Sequence, residues 1–434
     1  MNISFTRQTL ANGLDVLLHE DHACPIVAVN VWYHVGSKNE RPGHTGFAHL
    51  FEHLMFEGSE HHDKGYFQPL QGAGAALNGS TNADRTNYWE VVPTGALELA
   101  LWMESDRMGF LLPALTDAKF NNQRDVVLNE RRQNYENRPY GLAPMAMLAA
   151  LFSPDHPYHW TTIGEIADLN AVQLDEVQAF FRRYYHPANA SLALAGDIDA
   201  EDVLALVRTY FEDLEPGEPV DTVRADAALS SDVRIYFEDR VELPRLYLAW
   251  LTPAMFAQGD ADLDLGTDLL ANGKTSRLYR RLVFEERIAT DVSAAQNSRE
   301  IGGYAQLTAT AAPGHSLGEL ERVILEEIAR LATDGPTDDE IQRGRVQAEA
   351  QFMFRLQTVG GFGGKSDQLN AYNVFLRDPA YFDRDLQRYQ AVTGDLLKQA
   401  IARYLDPARR VTLSVVPQGR AALAAPGSSL AVVS

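Results

Sequence analysis

The sequence is poor in cysteine, in positive charge and in long apolar runs. The single cysteine, Cys24, excludes a disulfide within the chain. Lysine and arginine total 38 against 59 aspartate and glutamate residues, a net charge of -21, which argues against nucleic acid and anionic membranes as partners. No run approaches about 18 apolar residues, and the start MNISFTRQTL lacks the apolar core of a secretory signal. We therefore expect a cytoplasmic protein, with the periplasm as the alternative.

The residues suited to chemistry concentrate in the stretch TGFAHLFEHLMFEG, residues 45–58. Each residue of a helix advances by about 100°, which places His49 and His53 on one face with Glu52 beside them. Apolar residues at helical spacing form a stripe on the opposite face: Phe47, Leu50, Phe51 and Leu54. One face can pack into a core while the other offers the imidazoles and carboxylate of a catalytic zinc site. Taken alone, the pentapeptide is equally compatible with surface histidines beside a salt-bridging glutamate; the separated faces favour the metal.

A second predicted helix supplies a candidate third ligand. It runs from Thr116, a suitable N-cap, towards Pro139, which marks its end. Gln123 and Glu130 lie on one face of this helix by the i, i+7 spacing. Three protein ligands are usual for a catalytic zinc, and a carboxylate is a normal third one. Taken alone, however, Glu130 in the charged run Asn129-Glu130-Arg131-Arg132 is more typical of a solvated helix residue, so the helix offers it only as a candidate ligand.

These residues resemble the zinc signature of the pitrilysin/insulinase family of peptidases, whose members include bacterial relatives of the mitochondrial processing peptidase catalytic subunit. The pattern His49-x-x-Glu52-His53 precedes Glu130 in an N-E-R-R context, and similar pieces follow in order over essentially the whole chain. They are LANGLDVLL (10–18), VGSKNE (35–40), NGSTNADRTNYWEVVP (78–93) and RYYHPANASLALAGD (183–197). The resemblance implies that His49, His53 and Glu130 are the ligands of one zinc ion per chain, with Glu52 as the general base. It also implies a zinc endopeptidase whose two halves close around a chamber that admits unfolded peptides.

The resemblance also implies roles for two further segments. In the family, the stretch equivalent to Asn78, Gly79, Ser80 and Thr81 is an edge strand that pairs with the substrate backbone. A plain β-turn is the alternative for this stretch. Gln123 stands where relatives often have an acidic residue, and we expect it to act as a neutral hydrogen-bond partner of a zinc ligand.

The chain repeats itself once. Residues 171–196 match residues 391–416 at a constant offset of 220, which indicates two copies of one domain. We predict a zinc-binding domain at 1–215, a linker at 216–232, a homologous second domain at 233–420 and a loose tail at 421–434. The zinc positions map onto Asp268, Ala271 and Asn272, so no metal is expected in the second copy. The predicted fold class is α+β, with a mostly antiparallel sheet in each domain and helices packed on one face.

One departure from the family pattern bears on partners. Active relatives present an arginine and a tyrosine to the reacting carbonyl, but Val283 and Thr290 occupy these positions here. The resemblance then implies the zinc-bearing subunit of a heterodimer, completed by a homologous subunit that lacks the zinc motif and supplies the Arg/Tyr pair. A homodimeric peptidase, in which Arg280, Arg281 or Tyr304 compensates, is one alternative. A non-catalytic assembly or scaffold protein is the other, and an intact zinc motif disfavours it.

Overall fold

The computed structural model describes residues 3–433 and divides into two compact units. The first comprises Met1–Glu130, Thr162–Val223 and Gln351–Arg384. The second comprises Arg131–Thr161, Arg224–Ala350 and Asp385–Ser434. Each unit therefore contains a segment from the other half of the sequence, 351–384 in one and 131–161 in the other. The sequence repeat did not predict this exchange.

The first unit is built on a mixed, mostly antiparallel sheet. The strand order is β1-β2-β6-β3-β5-β4, with six strands in the described part of the chain, and only β2 and β6 pair in parallel. The strands are β1 (Thr6–Thr9), β2 (Asp15–Glu20), β3 (Ile26–Tyr33), β4 (Ala76–Thr81), β5 (Thr86–Pro93) and β6 (Ala190–Gly196).

The second unit has a sheet of the same kind, ordered β12-β7-β11-β8-β10-β9 within residues 3–433. Its strands are β7 (Val233–Asp239), β8 (Arg245–Thr252), β9 (Ala289–Asn297), β10 (Gly303–Ala311), β11 (Val411–Pro417) and β12 (Ser429–Leu430). Strands β7 to β11 occupy the places that β2 to β6 occupy in the first sheet. The predicted α+β class with two homologous halves is confirmed.

Helices cover these sheets. In the first half of the chain they are α1 (Phe47–Leu54), α2 (Phe67–Gly72), α3 (Leu97–Ala114), α4 (Asp117–Arg131), α5 (Ala143–Leu151), α6 (Ile166–Ala171), α7 (Leu174–Tyr184) and α8 (Ala200–Phe211). In the second half they are α9 (Asp260–Ala271), α10 (Leu317–Asp334), α11 (Asp338–Arg355), α12 (Lys365–Leu376), α13 (Phe382–Gln390) and α14 (Gly394–Tyr404). Among the helices within residues 3–433, none combines the length and apolar character needed to cross a membrane.

Strand β3 shows how the exchanged segment is used. Alternate side chains of a strand point to opposite faces of the sheet. Tyr33 lies on the face that α3 covers, next to Tyr88 and Tyr185. Trp32 points to the opposite face, where its indole N–H donates to Asp367 of α12. The first sheet therefore carries helices on both faces, and α12 is the helix contributed by the exchanged segment.

The C-terminal segment is less loose than its composition predicted. Ser429–Leu430 forms β12, which pairs in parallel with β7, and Ala425 is buried. Backbone hydrogen bonds make this attachment, so a run of small residues gives no pattern from which to predict it. Residue 434 lies outside the described residues. The other predicted domain boundaries stay predictions.

Candidate metal centre

Helix α1 presents the two histidines as its sequence predicted. The apolar stripe is fully or almost fully buried: Phe47, Leu50, Phe51 and Leu54. On the other face His49, Glu52 and His53 are only partly buried, and the two imidazole rings stand edge-to-face with centroids 4.8 Å apart. Packing of the stripe fixes the rotation of the helix and, with it, the direction of both rings.

Helix α4 brings Glu130 to the same place. The Thr116 hydroxyl accepts a hydrogen bond from the Lys119 amide at 3.3 Å, so Thr116 acts as the predicted N-cap. A Glu130 carboxylate oxygen, Oε2, lies 3.7 Å from His49 Nε2 and 3.3 Å from His53 Nε2. One ligand atom from each of the three residues lies within 4.8 Å of the others.

This arrangement fits a zinc ion. Ligand bonds of about 2.0 to 2.2 Å in a tetrahedron put neighbouring ligand atoms about 3.4 Å apart. The distances from Glu130 Oε2 to the two histidine nitrogens lie close to that value. Two nitrogens and one carboxylate oxygen are also a donor set that zinc accepts at catalytic sites. His49, His53 and Glu130 are thus the residues of this chain that could hold the metal.

The electrostatics of the cluster differ between its members. Burial, reinforced by the positive charge of His53, lowers the pKa of His49 to about 4, so His49 is neutral at physiological pH. Burial also disfavours charge on His53, but Glu130 and the other negative neighbours outweigh it and raise its pKa. Burial raises the pKa of the Glu52 carboxyl, against the opposing effects of Thr81 and His53.

Two neighbouring side chains contact His53 or the first turn of α1. The Gln123 side-chain amide donates to the Glu57 carboxylate and lies beside His53. This location suits the role predicted for Gln123 as the hydrogen-bond partner of a ligand. Glu40, which sequence reasoning missed, accepts hydrogen bonds from the amides of Gly46 and Ala48, each at 2.9 Å. It therefore caps the N-terminus of the helix that carries both histidines.

The stretch Asn78 to Thr81 lies in β4, the last strand on its side of the sheet in the described residues. The amide of Asn82 donates to the carbonyl of Arg85 at 3.0 Å, where the hairpin to β5 turns. Because paired positions alternate along antiparallel strands, the backbone groups of Leu77, Gly79 and Thr81 face away from β5. This edge can accept another strand, and Thr81 lies next to Glu52.

The positions that differ from the family pattern lie in the second unit. Val283 packs against that unit's hydrophobic core, and the Thr290 hydroxyl donates to Asp291 at 3.1 Å. Three residues could replace the Arg/Tyr pair of the family: Arg280, Arg281 and Tyr304. Arg281 forms salt bridges with three glutamates, Glu286, Glu326 and Glu327. Arg280 has a largely exposed side chain 3.5 Å from Glu285. Tyr304 lies on β10 beneath the guanidinium of Arg299.

Two family models match the chain. Residues 15–157 match the model described as insulinase (peptidase family M16). Residues 171–347 match the model described as the peptidase M16 inactive domain. Together the two matches take in most of the sequence.

Relatives of similar length are named as zinc proteases. The zinc protease PqqE of Helicobacter pylori is 28% identical over 362 residues, 82% of this chain and 81% of that protein. The uncharacterized zinc protease SCO5738 of Streptomyces coelicolor is 25% identical over 422 residues, 94% of this chain and 89% of its own.

Solved structures share the fold. A protease from Helicobacter pylori superposes with a TM-score of 0.88 at 25% identity, covering 96% of this chain and 100% of its own. A peptidase M16 inactive domain from Pseudomonas fluorescens superposes with a TM-score of 0.85 at 20% identity, covering 96% of this chain and 98% of its own.

Proposed function

The chain belongs to the insulinase family of peptidases, family M16, and from that premise we propose that it is a zinc-dependent endopeptidase. The observation that carries the proposal is the convergence of ligand atoms from His49, His53 and Glu130 within 4.8 Å. Glu52 stands beside this cluster on the same helix face and is not part of it. A site with three ligands and an adjacent carboxylate base suits hydrolysis.

In this proposal the residues around the metal have distinct roles in hydrolysis. Zinc, when bound by His49, His53 and Glu130, supplies a Lewis acid that acidifies water and polarises a carbonyl. Glu52 accepts the proton of the attacking water and later donates a proton to the leaving amine. Gln123 and Glu40 hold the ligands in orientation, through the ring of His53 and through the first turn of α1.

The substrate class proposed is extended polypeptide. The outward groups of Leu77, Gly79 and Thr81 offer main-chain hydrogen bonds to an added strand, which an extended segment with unpaired main-chain groups can use. The Asn78 side chain accepts from the Gly79 amide at 2.8 Å, in the place where a substrate carbonyl would accept. Recognition by backbone pairing reads shape more than sequence, so we expect broad rather than narrow cleavage preference.

The test of catalysis is the variant Glu52→Gln. Glutamine keeps the size of the side chain but cannot accept a proton, so cleavage of a fluorogenic peptide should fall by about 10² to 10⁴. Zinc content should stay at one per chain because Glu52 is not a ligand. Glu60→Gln, on the exposed loop that follows α1, serves as the matched control and should cleave normally. Normal cleavage by Glu52→Gln would remove Glu52 from the mechanism.

We further propose that the active species is a heterodimer. A developing oxyanion needs preorganised donors, and the chain has Val283 and Thr290 where the family pattern has an arginine and a tyrosine. Arg281, a possible substitute, is already held by three carboxylates. These observations support a homologous partner that supplies the Arg/Tyr pair over a homodimer of this chain.

A further inference from the structure

Helix α12 is joined to the sheet of the zinc unit through one buried carboxylate, that of Asp367. Asp367 Oδ1 accepts hydrogen bonds from Trp32 Nε1 at 2.9 Å and from the amides of Asn30 and Asn87 at 3.3 Å each. Its other oxygen accepts from the Gly363 backbone at 2.8 Å. A buried carboxylate with four donors is well fixed, since each bond offsets part of its desolvation.

From Asp367 the hydrogen bonds continue to strand β4. Asn87, held by Asp367 through its N–H group, accepts from the Ser80 hydroxyl at 2.6 Å through its oxygen. Arg85 donates to the Ser80 hydroxyl at 2.6 Å and to the Ser80 carbonyl at 2.9 Å. Its guanidinium also lies 4.9 Å from the centroid of the Trp32 ring, whose N–H is bound to Asp367. Ser80 is therefore connected to α12 through Asn87 and also through Arg85 and Trp32.

The glycine-rich segment GGFGGKS, residues 360–366, explains how Asp367 is placed. A Cβ atom at Gly360 would lie 2.5 Å from the Ala28 side chain and 2.6 Å from that of Val91, so only glycine lets this segment touch the sheet. The amides of Lys365 and Ser366 are bonded to the carbonyls of Thr358 and Val359. The segment therefore seats the N-terminus of α12 against the sheet.

We propose that Asp367 is a positioning residue for substrate binding, which fixes the edge strand β4 through Asn87 and Ser80. The proposal rests on the proposed peptidase function for its substrate. The middle of β4 is anchored at Ser80, between the outward backbone groups of Gly79 and Thr81. Loss of the anchor leaves those groups free to move, and a peptide must then order them as it binds. A segment from the second half of the sequence thereby controls substrate affinity at a site whose zinc ligands all come from the first half.

The experiment compares Ser80→Ala and Asp367→Ala with the matched control Asn373→Ala. Asn373 lies on the same helix and donates to Asp15 on β2 and to the Ser191 hydroxyl on β6, away from β4. Ser80→Ala should raise the KM for a fluorogenic peptide by about threefold to tenfold, the equivalent of one hydrogen bond, with kcat and zinc content unchanged. Asp367→Ala should raise the KM by at least as much. Combining Ser80→Ala with Asp367→Ala should raise the KM little further, because both substitutions break the same connection. Asn373→Ala should lower stability but leave KM unchanged.

Hydrogen exchange of the amides in residues 76–81 provides a readout that is independent of activity. Exchange there should quicken in Ser80→Ala and Asp367→Ala and stay as in the parent in Asn373→Ala. If the zinc-loaded parent, tested alone and with its partner subunit, cleaves no peptide, the proposed function fails and the exchange rates still decide the positioning role. A parent-like KM together with parent-like exchange in both variants would overturn the proposal.

Discussion

Glu52 and Glu130 lie beside the same pair of histidines but have different proposed roles. Glu130 comes from another helix and approaches both imidazoles to within 3.7 Å, as a ligand must. Glu52 shares a helix with the histidines and lies next to Thr81 of the edge strand, where a peptide would be bound. Their positions relative to the histidines, and not their residue type, support the proposal of Glu130 as a ligand and Glu52 as a base.

The third ligand can be tested by metal retention. Glu130→Ala removes one of three ligands, so zinc should dissociate far more readily in competition with a chelator. Asp125→Ala, an exposed position on the same helix, is the control and should keep its zinc. Full zinc stoichiometry in Glu130→Ala under such competition would exclude Glu130 as a ligand.

A buried carboxyl remote from the ligands makes stability depend on pH. Burial, with the negative charge of Glu104 and against the positive charge of Arg107, raises the pKa of Glu90 well above its usual range. Glu104 itself is paired with Arg107 in a buried ion pair. The folded state keeps the Glu90 proton, whereas the unfolded chain loses it above the ordinary glutamate pKa of about 4.3. The stability that Glu90 contributes is therefore full below that pH and declines as pH rises towards the folded-state pKa.

Glu90→Gln replaces this carboxyl by a neutral group of the same shape. The free energy of unfolding of the variant relative to the parent should therefore increase between pH 5 and pH 8, as urea denaturation at both values can measure. Glu98→Gln, on the first turn of α3, is the control and should show no such trend. A difference that is equal at the two pH values would mean that Glu90 is ionised in the folded protein.

At the scale of elements, the zinc helix depends on a cap from outside itself. Its N-cap is Gly46, with no side chain to offer, and Glu40 takes that role from six residues upstream. Glu40→Ala should destabilise the helix by about 1 to 2 kcal/mol and weaken zinc retention, because the helix orients both histidines. Glu20→Ala is the matched control, since Glu20 caps α8 in the same way by accepting from the Ala200 amide. Equal zinc retention in both variants would show that the Glu40 cap does not support the site.

The sequence predicted the zinc helix because its evidence is local. A period of 3.6 in the apolar residues fixes which face is buried, and the histidines then fall on the other face. Glu40 could not be predicted in the same way, since its distance from Gly46 matches none of the usual capping patterns. The proposed role of Asp367 could not be predicted because its partners Trp32 and Asn87 lie 335 and 280 residues away in the chain. A contact over such a separation leaves no local sequence pattern.

At the scale of the whole molecule, the repeat showed two homologous halves but not how their segments are shared. An offset of about 220 residues establishes common ancestry of elements, and the two sheets have corresponding strand orders. It cannot show that residues 351–384 join the first unit and residues 131–161 the second, because homology carries no information about which sheet a helix packs on. The zinc unit therefore includes a segment from the second half of the chain.

The activity of the protein depends on which chain supplies the donors to the oxyanion. Without the Arg/Tyr pair, the isolated chain should be a weak peptidase even when loaded with zinc. Loss of one oxyanion donor commonly costs about 10² to 10³ in kcat, and here two positions are affected. A subunit of similar length, with an Arg/Tyr pair and no zinc motif, should restore activity when titrated into this chain and should saturate near one-to-one. The same subunit with both residues replaced by alanine is the control: it should still bind but should not activate. High activity of this chain alone, unchanged by the partner, would instead favour a homodimer in which another residue of the chain stabilises the oxyanion.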